Sequence, residues 1–405
     1  MNLLKYILLA ALFSISQLSV AQISNGIVAE RIIYPDNIQV GAQRTEVYLP
    51  LLKNKAVAIV TNQTGTLGKT HLVDSLLSLG VNIKKVMSPE HGFRGQAAAG
   101  EHVNSGKDIK TGLPIVSLYG SHRKPTTADL QDIDIVIFDI QDVGVRFYTY
   151  ISTLHYLMEA CAENHKKLLI LDRPNPNGFY VDGPILEKKF SSFVGMDPIP
   201  IVHGMTIGEY ALMLNGEGWL KDSIQCDLQV ITVINYRHDL LYQLPVSPSP
   251  NLPNMASIYL YPSLCLFEGT IVSVGRGTDK PFQIFGHPDM KQFDTTFVPE
   301  PIAGKAPHPK LEGQTCKGFD VSLFGSSMVP NMQGLYLFWL INTYFDMGGE
   351  DDFFKPFFNK LAGTDQLRIQ IERGMTEKEI KAGWSDNLLK FKSIRKKYLL
   401  YPDFE

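Results

Sequence analysis

The sequence predicts an α/β protein with a mostly parallel sheet covered by helices on both faces, followed by a smaller α+β C-terminal domain. Between residues 55 and 172, short apolar runs rich in β-branched residues alternate with polar loops and helical stretches, which is the pattern of a parallel sheet. The chain has 405 residues, more than one hydrophobic core usually supports, so we expect two domains.

Five apolar runs in this region are predicted to be strands. Each is apolar along most of its length, as expected of a strand that is buried on both faces. They lie at residues 56–61, 81–88, 115–118, 133–138 and 168–171. Between the first two, residues 71–79 carry a helical apolar stripe, which Gly80 is well placed to end.

Further along, Thr206 and Glu209 have the spacing of a capping box that opens a helix reaching about residue 220. Residues 229–234 are predicted to form another strand. The proline-rich segment 244–253 interrupts regular structure, so we place the domain junction there. The first domain is then expected at 22–243 and the second at 244–405.

The second domain is expected to mix short strands with three recognisable helices. These are a buried helix at 335–345, a helix opened by a capping box at 376–379, and a basic amphipathic helix at 387–400. A solvated face is the favoured interpretation of the basic residues in the last helix, because the overall charge is nearly balanced.

The first 21 residues have the pattern of a cleavable export signal. Lys5 precedes an apolar run, and Ser19-Val20-Ala21 supplies the small residues after which signal peptidase cuts. The run is too short to span a membrane, although a short anchoring helix is the alternative. We therefore expect cleavage after Ala21, a periplasmic or secreted protein, and no stable membrane insertion after cleavage.

Composition and missing motifs exclude several functions. The 38 basic and 41 acidic residues give no basic surface for a nucleic-acid partner. Four scattered cysteines favour buried free thiols, with one disulfide as the alternative. Nucleotide-binding glycine loops and a serine-hydrolase elbow are absent, and the pairs Glu90-His91 and Glu101-His102 match no common metal spacing. We therefore predict no cofactor and no metal, and the sequence carries no signal for the oligomeric state.

The polar loops after the predicted strands are where chemistry is expected, because ligands of open parallel sheets bind at the carboxyl ends of the strands. Cleavage of a glycosidic bond needs a proton donor for the leaving oxygen. Glu90 is the strongest candidate, since it follows a strand directly and Phe93 is near enough to raise the pKa of its carboxyl group. The alternative is a structural carboxylate that caps a helix or pairs with Arg94.

For the other candidate carboxylates, a purely structural role is the alternative as well. Asp139 and Asp142 follow a predicted strand, where an aspartate often only orients a loop. Glu268 is either a second reacting carboxylate or the ion-pair partner of Arg276, which lies among glycines that permit close backbone approach. Aromatic residues in the loops are expected to offer stacking faces for a sugar ring: Tyr119, Phe147, Tyr148 and Tyr150.

Several longer strings resemble one family when taken together. They are SPEHGFRG, FDIQDVGVRFYTY, LDRPNPNG, DGPILE, SPNLPN, YPSLCLFEGT, VGRGT and RKKYLLY. Their order and spacing, from about residue 55 to 401, resemble the exo-β-N-acetylmuramidases of the NamZ type, first catalogued as a domain of unknown function. The resemblance implies a Rossmann-like catalytic domain, a smaller C-terminal domain and an active site in the cleft between them.

The resemblance also assigns site residues. It makes Glu90 the expected catalytic acid, and it leaves the second catalytic group open among the other carboxylates and the 2-acetamido oxygen of the substrate. Arginine suits the lactyl carboxylate of muramic acid, and Arg146 and Arg276 are the candidates. The full set of candidates is Glu90, Asp139, Asp142 and Glu268 for catalysis, with Asn62, His91, Arg94, Tyr119, Arg146, Tyr148, Asn175 and Arg276 for substrate binding.

The function that the resemblance implies is release of N-acetylmuramic acid from the non-reducing ends of peptidoglycan fragments, so peptidoglycan-derived saccharides are the expected partners. A non-catalytic periplasmic protein that binds muropeptides or sugars is the alternative, because two α/β domains around a cleft also describe such receptors. An esterase or amidase acting on wall decorations is a third reading, weakened by the missing serine elbow.

Overall fold

The computed structural model describes residues 32–33, 37–90, 92–94 and 106–405. The predicted export signal and His91 lie outside these residues. Two regions follow one another along the chain: a sheet flanked by helices, and a largely helical C-terminal region with a small antiparallel sheet. The predicted fold class is confirmed.

The central sheet has seven strands, which are β2 (Val57–Thr61), β5 (Ile83–Ser88), β6 (Gly106–Lys107), β7 (Pro114–Ser117), β8 (Ile135–Asp139), β9 (Lys167–Leu171) and β10 (Leu228–Ile231). Their order across the sheet is β10-β9-β8-β2-β5-β7-β6. All neighbours are parallel except β6, which pairs antiparallel with β7. The carboxyl ends of the parallel strands therefore meet along one edge.

The apolar runs form these strands because both faces of the sheet are covered. Along β2, Ala58 and Val60 join one apolar cluster, while Val57 and Ile59 join the cluster on the other side. All five residues of β2 are buried. A strand with no polar face is stable only between two layers of helices, as the sequence predicted.

The helices of the first region are α1 (Thr45–Leu52), α2 (Leu72–Ser78), α3 (Thr127–Leu130), α4 (Tyr150–Glu163) and α5 (Ile207–Gly216). The predicted capping box is present at α5, where Thr206 accepts from the backbone of Glu209 and the Glu209 side chain accepts from Thr206. The helix ends four residues earlier than expected, and Gly218 follows in the left-handed conformation (φ 65°).

The C-terminal region contains α6 (Met255–Leu264), α7 (Ser322–Ser327), α8 (Val329–Met332), α9 (Phe338–Asp346), α10 (Phe357–Ala362), α11 (Gln366–Glu372), α12 (Glu377–Ala382) and α13 (Ser385–Arg395). Its sheet consists of β12 (Ile284–His287), β14 (Cys316–Asp320) and β13 (Thr295–Phe297), in that order and antiparallel. Shorter strand pairs are β1 (Ile32–Ile33) with β11 (Leu241–Tyr242), and β3 (Thr66–Leu67) with β4 (Thr70–His71).

The end of the chain returns to the first region and corrects one expectation. Arg395, expected on a solvated face, is buried, donates to the Gly204 carbonyl at 2.7 Å and pairs with Asp403 at 2.7 Å. The Tyr401 hydroxyl donates to Asp172 at 2.5 Å. The C-terminal helix is therefore fixed to the sheet region by buried polar contacts.

All four cysteines are buried free thiols. Within the residues that the structure describes, no cluster of three metal-ligating side chains occurs. In the same residues, no helix has both the length and the apolar character needed to cross a membrane.

Candidate active site

A cleft lies at the carboxyl edge of the sheet, between this edge and the C-terminal region. Glu90, which follows β5, forms part of its wall, as do residues 147–150 after β8. The opposite wall comes from the proline-rich segment at Ser249–Leu252 and from Tyr261, Arg276 and Phe282. Its free volume is about 60 Å³, small for a complete ligand, so a sugar ring would approach Glu90 from the open side.

The Glu90 side chain is half-buried and is oriented by hydroxyl groups. The Tyr119 hydroxyl donates to Oε1 at 3.1 Å, and the Thr149 hydroxyl donates to Oε2 at 3.1 Å. Tyr119 follows β7 and Thr149 immediately precedes α4, so the two donors come from different loops. Because hydroxyls both donate and accept, they can hold this carboxyl group in either protonation state.

The chain beyond Glu90 is anchored away from the cleft. The Arg94 guanidinium pairs with Asp108 at 2.7 Å and Asp74 at 3.3 Å, and it stacks over the Phe93 ring at 4.4 Å. Hydrogen bonds from Arg94 lower the pKa of Asp108 to about 2. The Phe93 ring packs edge-on against His71 in the apolar core. Phe93 and Arg94 thus fix the loop and are absent from the described cleft wall.

An aromatic wall forms the side of the cleft next to Glu90. Tyr148 and Tyr150 meet edge to face with ring centroids 4.8 Å apart, and Tyr148 meets Tyr261 at 5.8 Å. The hydroxyls of Tyr148 and Tyr150 both donate to the Pro248 carbonyl, at 2.8 and 3.3 Å. Burial raises the pKa of both tyrosines, so they stay neutral. The rings are therefore fixed in place.

Asn62 supports this wall from behind. Its Nδ2 donates to the Tyr150 hydroxyl at 2.8 Å, and its Oδ1 accepts from the Thr64 hydroxyl at 2.6 Å. The side chain is fully buried. The geometry gives Asn62 a role in positioning Tyr150 and not in direct contact with a ligand.

Arg276 and Glu268 form an ion pair beside the cleft. Nε of Arg276 lies 3.2 Å from Oε1 of Glu268, and both side chains are about a quarter exposed, at 24% and 25%. The guanidinium also lies over the Phe282 ring at 4.9 Å. Arg276 lies between Gly275 and Gly277, which both have positive φ (74° and 82°), so the tight turn needs glycine on both sides.

Lys310 holds the loop that carries Glu268. Its ammonium group donates to the carbonyls of Thr270 at 2.7 Å, Val272 at 3.0 Å and Phe267 at 3.2 Å. Burial lowers the pKa of Lys310. One half-buried cation therefore fixes four carbonyls between Phe267 and Val272, in the segment leading to Arg276. Sequence reasoning missed this residue, because it lies some forty positions away in a segment without a motif.

Asp139 and Asp142 do not reach the cleft. Asp139 is fully buried, and Arg173 donates to both of its oxygens at 2.6 and 3.0 Å. Asp142 accepts from the backbone N–H of Gly144 at 2.7 Å, and burial raises its pKa to about 7. The loop after β8 turns inward, so both carboxylates are satisfied or buried inside the protein.

Arg146 and Asn175 are also structural in this geometry. Arg146 is fully buried and donates to four carbonyls, those of Pro184, Ile199, Leu361 and Ala362, at 2.6–3.0 Å. Asn175 is buried and donates to the Met205 carbonyl at 2.9 Å. Of the two arginines considered for a substrate carboxylate, Arg276 alone is at the cleft wall that the described residues form.

Sequence reasoning also missed several residues that line the cleft. Thr149 was not predicted as a site residue, because a threonine directly before a helix is common and does not by itself indicate a binding site. Ser249, Asn251 and Leu252 belong to the proline-rich segment, which we predicted as a domain junction and as one of the family strings but not as part of the site, although prolines also occur where a rigid loop shapes a site. Tyr261 lies on a helix that is apolar nearly all round.

The fold and this cleft define a class of protein. A carboxyl group oriented by hydroxyls beside fixed aromatic rings is suited to carbohydrate chemistry, in which a proton donor acts on a sugar held against apolar faces. The molecule is an α/β protein with the geometry of a glycoside-processing enzyme.

Comparison with known proteins identifies the family. The model for the N-terminal part of exo-beta-N-acetylmuramidase NamZ matches residues 57–256, and the model for the C-terminal part matches residues 259–401. The chain belongs to the NamZ family of exo-β-N-acetylmuramidases.

Relatives agree with this assignment. Peptidoglycan beta-N-acetylmuramidase NamZ of Bacillus subtilis is 40% identical over 376 residues, covering 87% of this chain and 89% of that protein. A crystal structure of a DUF1343 family protein from Bacteroides fragilis has a TM-score of 0.84 and 50% identity, and covers 91% of this chain and 100% of that one. A second DUF1343 structure from the same organism has a TM-score of 0.75 and 30% identity, covering 90% of this chain and 99% of that one.

Proposed function

We propose that this protein is an exo-acting glycosidase that releases N-acetylmuramic acid from the non-reducing ends of peptidoglycan fragments such as MurNAc-GlcNAc. The observation that carries the proposal is the position of Glu90, a half-buried carboxyl group at the cleft that is held by two hydroxyls. The similarity to the peptidoglycan beta-N-acetylmuramidase of Bacillus subtilis supports the choice of substrate.

In the proposed reaction, Glu90 acts as general acid. Its proton passes to the glycosidic oxygen as the bond from that oxygen to C1 of muramic acid breaks. Water then supplies hydroxide to C1 and returns a proton to the carboxylate, which balances the hydrolysis. Tyr119 and Thr149 orient the carboxyl group so that the transfer needs little reorganisation.

Two groups are candidates for the second catalytic role. Glu268 is the predicted carboxylate nearest the opposite wall, where it pairs with Arg276. The 2-acetamido oxygen of the substrate is the other candidate, and it needs no second carboxylate in the cleft. Asp139 and Asp142 are buried, so neither aspartate is assigned this role.

Arg276 is proposed to bind the lactyl carboxylate that distinguishes muramic acid from glucosamine. Its guanidinium lines the cleft and is partly exposed. A planar guanidinium can bind a carboxylate through two parallel hydrogen bonds, which gives orientation as well as affinity. A substrate carboxylate would compete with Glu268 for this cation.

The same proposal includes export. Peptidoglycan lies outside the cytoplasmic membrane, and residues 1–21 have the pattern of a cleavable signal. Fractionation of cells expressing the full chain tests this: the protein should leave the cytoplasm with its N-terminus at Gln22, and a variant lacking residues 2–18 should stay inside. Cytoplasmic retention of the full chain would contradict export.

The test of the function is release of free MurNAc from MurNAc-GlcNAc, measured for the wild type, for Glu90→Gln and for Glu46→Gln as a matched control on an exposed glutamate. We expect wild-type release, loss of at least about 100-fold in Glu90→Gln, and no change in the control. No release by the wild type would contradict the function, and binding without turnover would favour a sugar receptor. Full activity of Glu90→Gln would contradict the role of Glu90 alone.

A further inference from the structure

A second cavity lies apart from the residues that line the Glu90 cleft. Its free volume is about 300 Å³, five times that of the cleft. One wall is the segment at residues 184–187 of the first region, and the other is formed by α11, α12 and the start of α13. This volume falls at the lower end of the range for small-molecule sites.

The walls of this cavity are fixed by buried hydrogen bonds. Arg146 donates to the Pro184 carbonyl on one side and to the Ala362 carbonyl on the other, at 2.8 and 2.6 Å. Asp182 accepts from the indole N–H of Trp384 at 3.1 Å. The backbone N–H of Glu187 donates to the Gly363 carbonyl at 2.8 Å. The cavity is therefore a preformed space and not a loose gap between mobile segments.

The lining combines an aromatic ring with free amide groups. Trp384 forms part of the wall and is 6% exposed, and the apolar side chains of Leu367 and Ile380 are buried beside it. Gln370 and Asn387 also line the cavity, and within the described chain neither side chain has a hydrogen-bond partner. Each amide offers both a donor and an acceptor to a ligand.

The charged groups around the cavity are paired with one another, so no cation of the described lining is free to bind an anion. Glu187 places a partly exposed carboxylate in the lining, where it accepts from the Thr364 hydroxyl. Lys189 pairs with Glu187 itself at 3.3 Å and with Asp365 at 2.8 Å, and Lys381 pairs with Asp182 at 3.1 Å. A ligand carboxylate would therefore meet no unpaired cation among the described residues of the lining.

We propose that this cavity is a second saccharide site for a neutral acetamido sugar of the GlcNAc type. Such a sugar supplies hydroxyl and amide groups to Gln370 and Asn387 and an apolar face to the small accessible part of Trp384. Muramic acid is disfavoured by its lactyl carboxylate. The choice of GlcNAc among neutral sugars rests on the proposed function, whereas the existence of the site rests on the cavity alone. Binding here would keep the enzyme on a glycan while its ends are processed.

The test is calorimetric titration of the full chain with tri-N-acetylchitotriose, a GlcNAc trimer without muramic acid. We expect binding by the wild type, binding at least about tenfold weaker in Gln370→Ala/Asn387→Ala, and unchanged binding in Gln131→Ala/Gln292→Ala, which removes two exposed amides elsewhere. Melting temperatures check folding. Should the first double variant melt lower, the exposed Asn387→Ala alone replaces it.

Absence of trimer binding at millimolar concentration would overturn the site, and so would equal binding by wild type and the Gln370/Asn387 variant. Tighter binding of free MurNAc than of GlcNAc, lost in that variant, would overturn the predicted preference for a neutral sugar. The measurement needs no turnover, so failure of the proposed hydrolysis is seen separately in the MurNAc-release assay.

Discussion

The Tyr119 hydroxyl lies 3.1 Å from Oε1 of Glu90 and links two neighbouring strands of the sheet at their carboxyl ends. Glu90 follows β5 and Tyr119 follows β7, so the parallel pairing of these strands is what brings the two side chains together. The Thr149 hydroxyl holds the other carboxyl oxygen from a third loop. The orientation of the proposed proton donor is thus a direct consequence of sheet topology.

Tyr119→Phe should lower kcat for MurNAc release about tenfold, with a smaller change in KM. The variant keeps the ring and removes the hydrogen bond that orients Glu90, and one such hydrogen bond contributes about 0.5–1.5 kcal/mol. Steady-state kinetics on MurNAc-GlcNAc measure this, and the control is Tyr156→Phe, whose ring stacks on Phe193 and does not line the cleft. An unchanged kcat would show that Tyr119 does not position the carboxyl group.

Arg276→Met should reduce discrimination between muramic acid and glucosamine. Loss of a charge-assisted contact to the lactyl carboxylate is expected to raise KM for a β-MurNAc glycoside about 10- to 100-fold, and to change little for a β-GlcNAc glycoside. The ratio of kcat/KM for the two glycosides is the readout. An equal loss on both would mean that Arg276 acts on the cleft structure and not on the lactyl group.

Arg146→Met should destabilise the protein without a specific effect on catalysis. The variant leaves four buried carbonyls without their donor, and each unsatisfied acceptor costs about 1–3 kcal/mol. We expect a free energy of unfolding lower by at least about 3 kcal/mol in urea denaturation, with KM unchanged for protein that remains folded at low temperature. A raised KM with unchanged stability would instead restore Arg146 as a substrate ligand.

Stability should fall above neutral pH because of His155. Burial alone would lower the pKa of this histidine, but hydrogen bonds to the Asp197 and Glu159 carboxylates raise it to about 9. The folded form therefore binds the proton more tightly than the unfolded chain, whose histidine has a pKa near 6.5. The contribution is complete below about pH 6.5 and is lost as pH rises through about 9.

Denaturation of the wild type between pH 6 and 10 measures this loss, which should be on the order of 3 kcal/mol. His155→Gln should be less stable at pH 6 and should show a flatter dependence over the same range. A wild-type stability that rises from pH 7 to 9, or an identical slope in the variant, would contradict the role of His155.

The sheet could be predicted from sequence because its signal is local. An apolar run such as that of β2 identifies a strand buried on both faces without knowledge of its neighbours. Glu90 was found for the same reason, since a carboxylate directly after a strand end must lie at the ligand-binding edge. Strand boundaries shifted by one to three residues, as at β10, which ends at Ile231 and not at residue 234.

The rest of the site depends on contacts between distant residues. Asp139 ends β8 at the same edge of the sheet as Glu90, but Arg173 pairs with it inside the protein, and no local sequence pattern predicts that pair. Arg146 lies within a recognisable motif, yet its guanidinium binds carbonyls more than 200 positions away. Sequence position shows which edge of the sheet a residue reaches, while the choice between a cleft and the interior depends on the partners that the fold supplies.

The most direct test of proton donation by Glu90 compares Glu90→Gln on two substrates that differ only in leaving group. In the natural disaccharide MurNAc-GlcNAc, the GlcNAc leaving group would be a poor alkoxide and needs a proton. In a β-MurNAc glycoside of dinitrophenol, the dinitrophenolate leaves without one. We predict that the variant loses at least about 100-fold in kcat/KM on the disaccharide and less than about tenfold on the dinitrophenyl glycoside. An equal loss on both substrates, or no loss on either, would contradict the assignment of Glu90 as the proton donor.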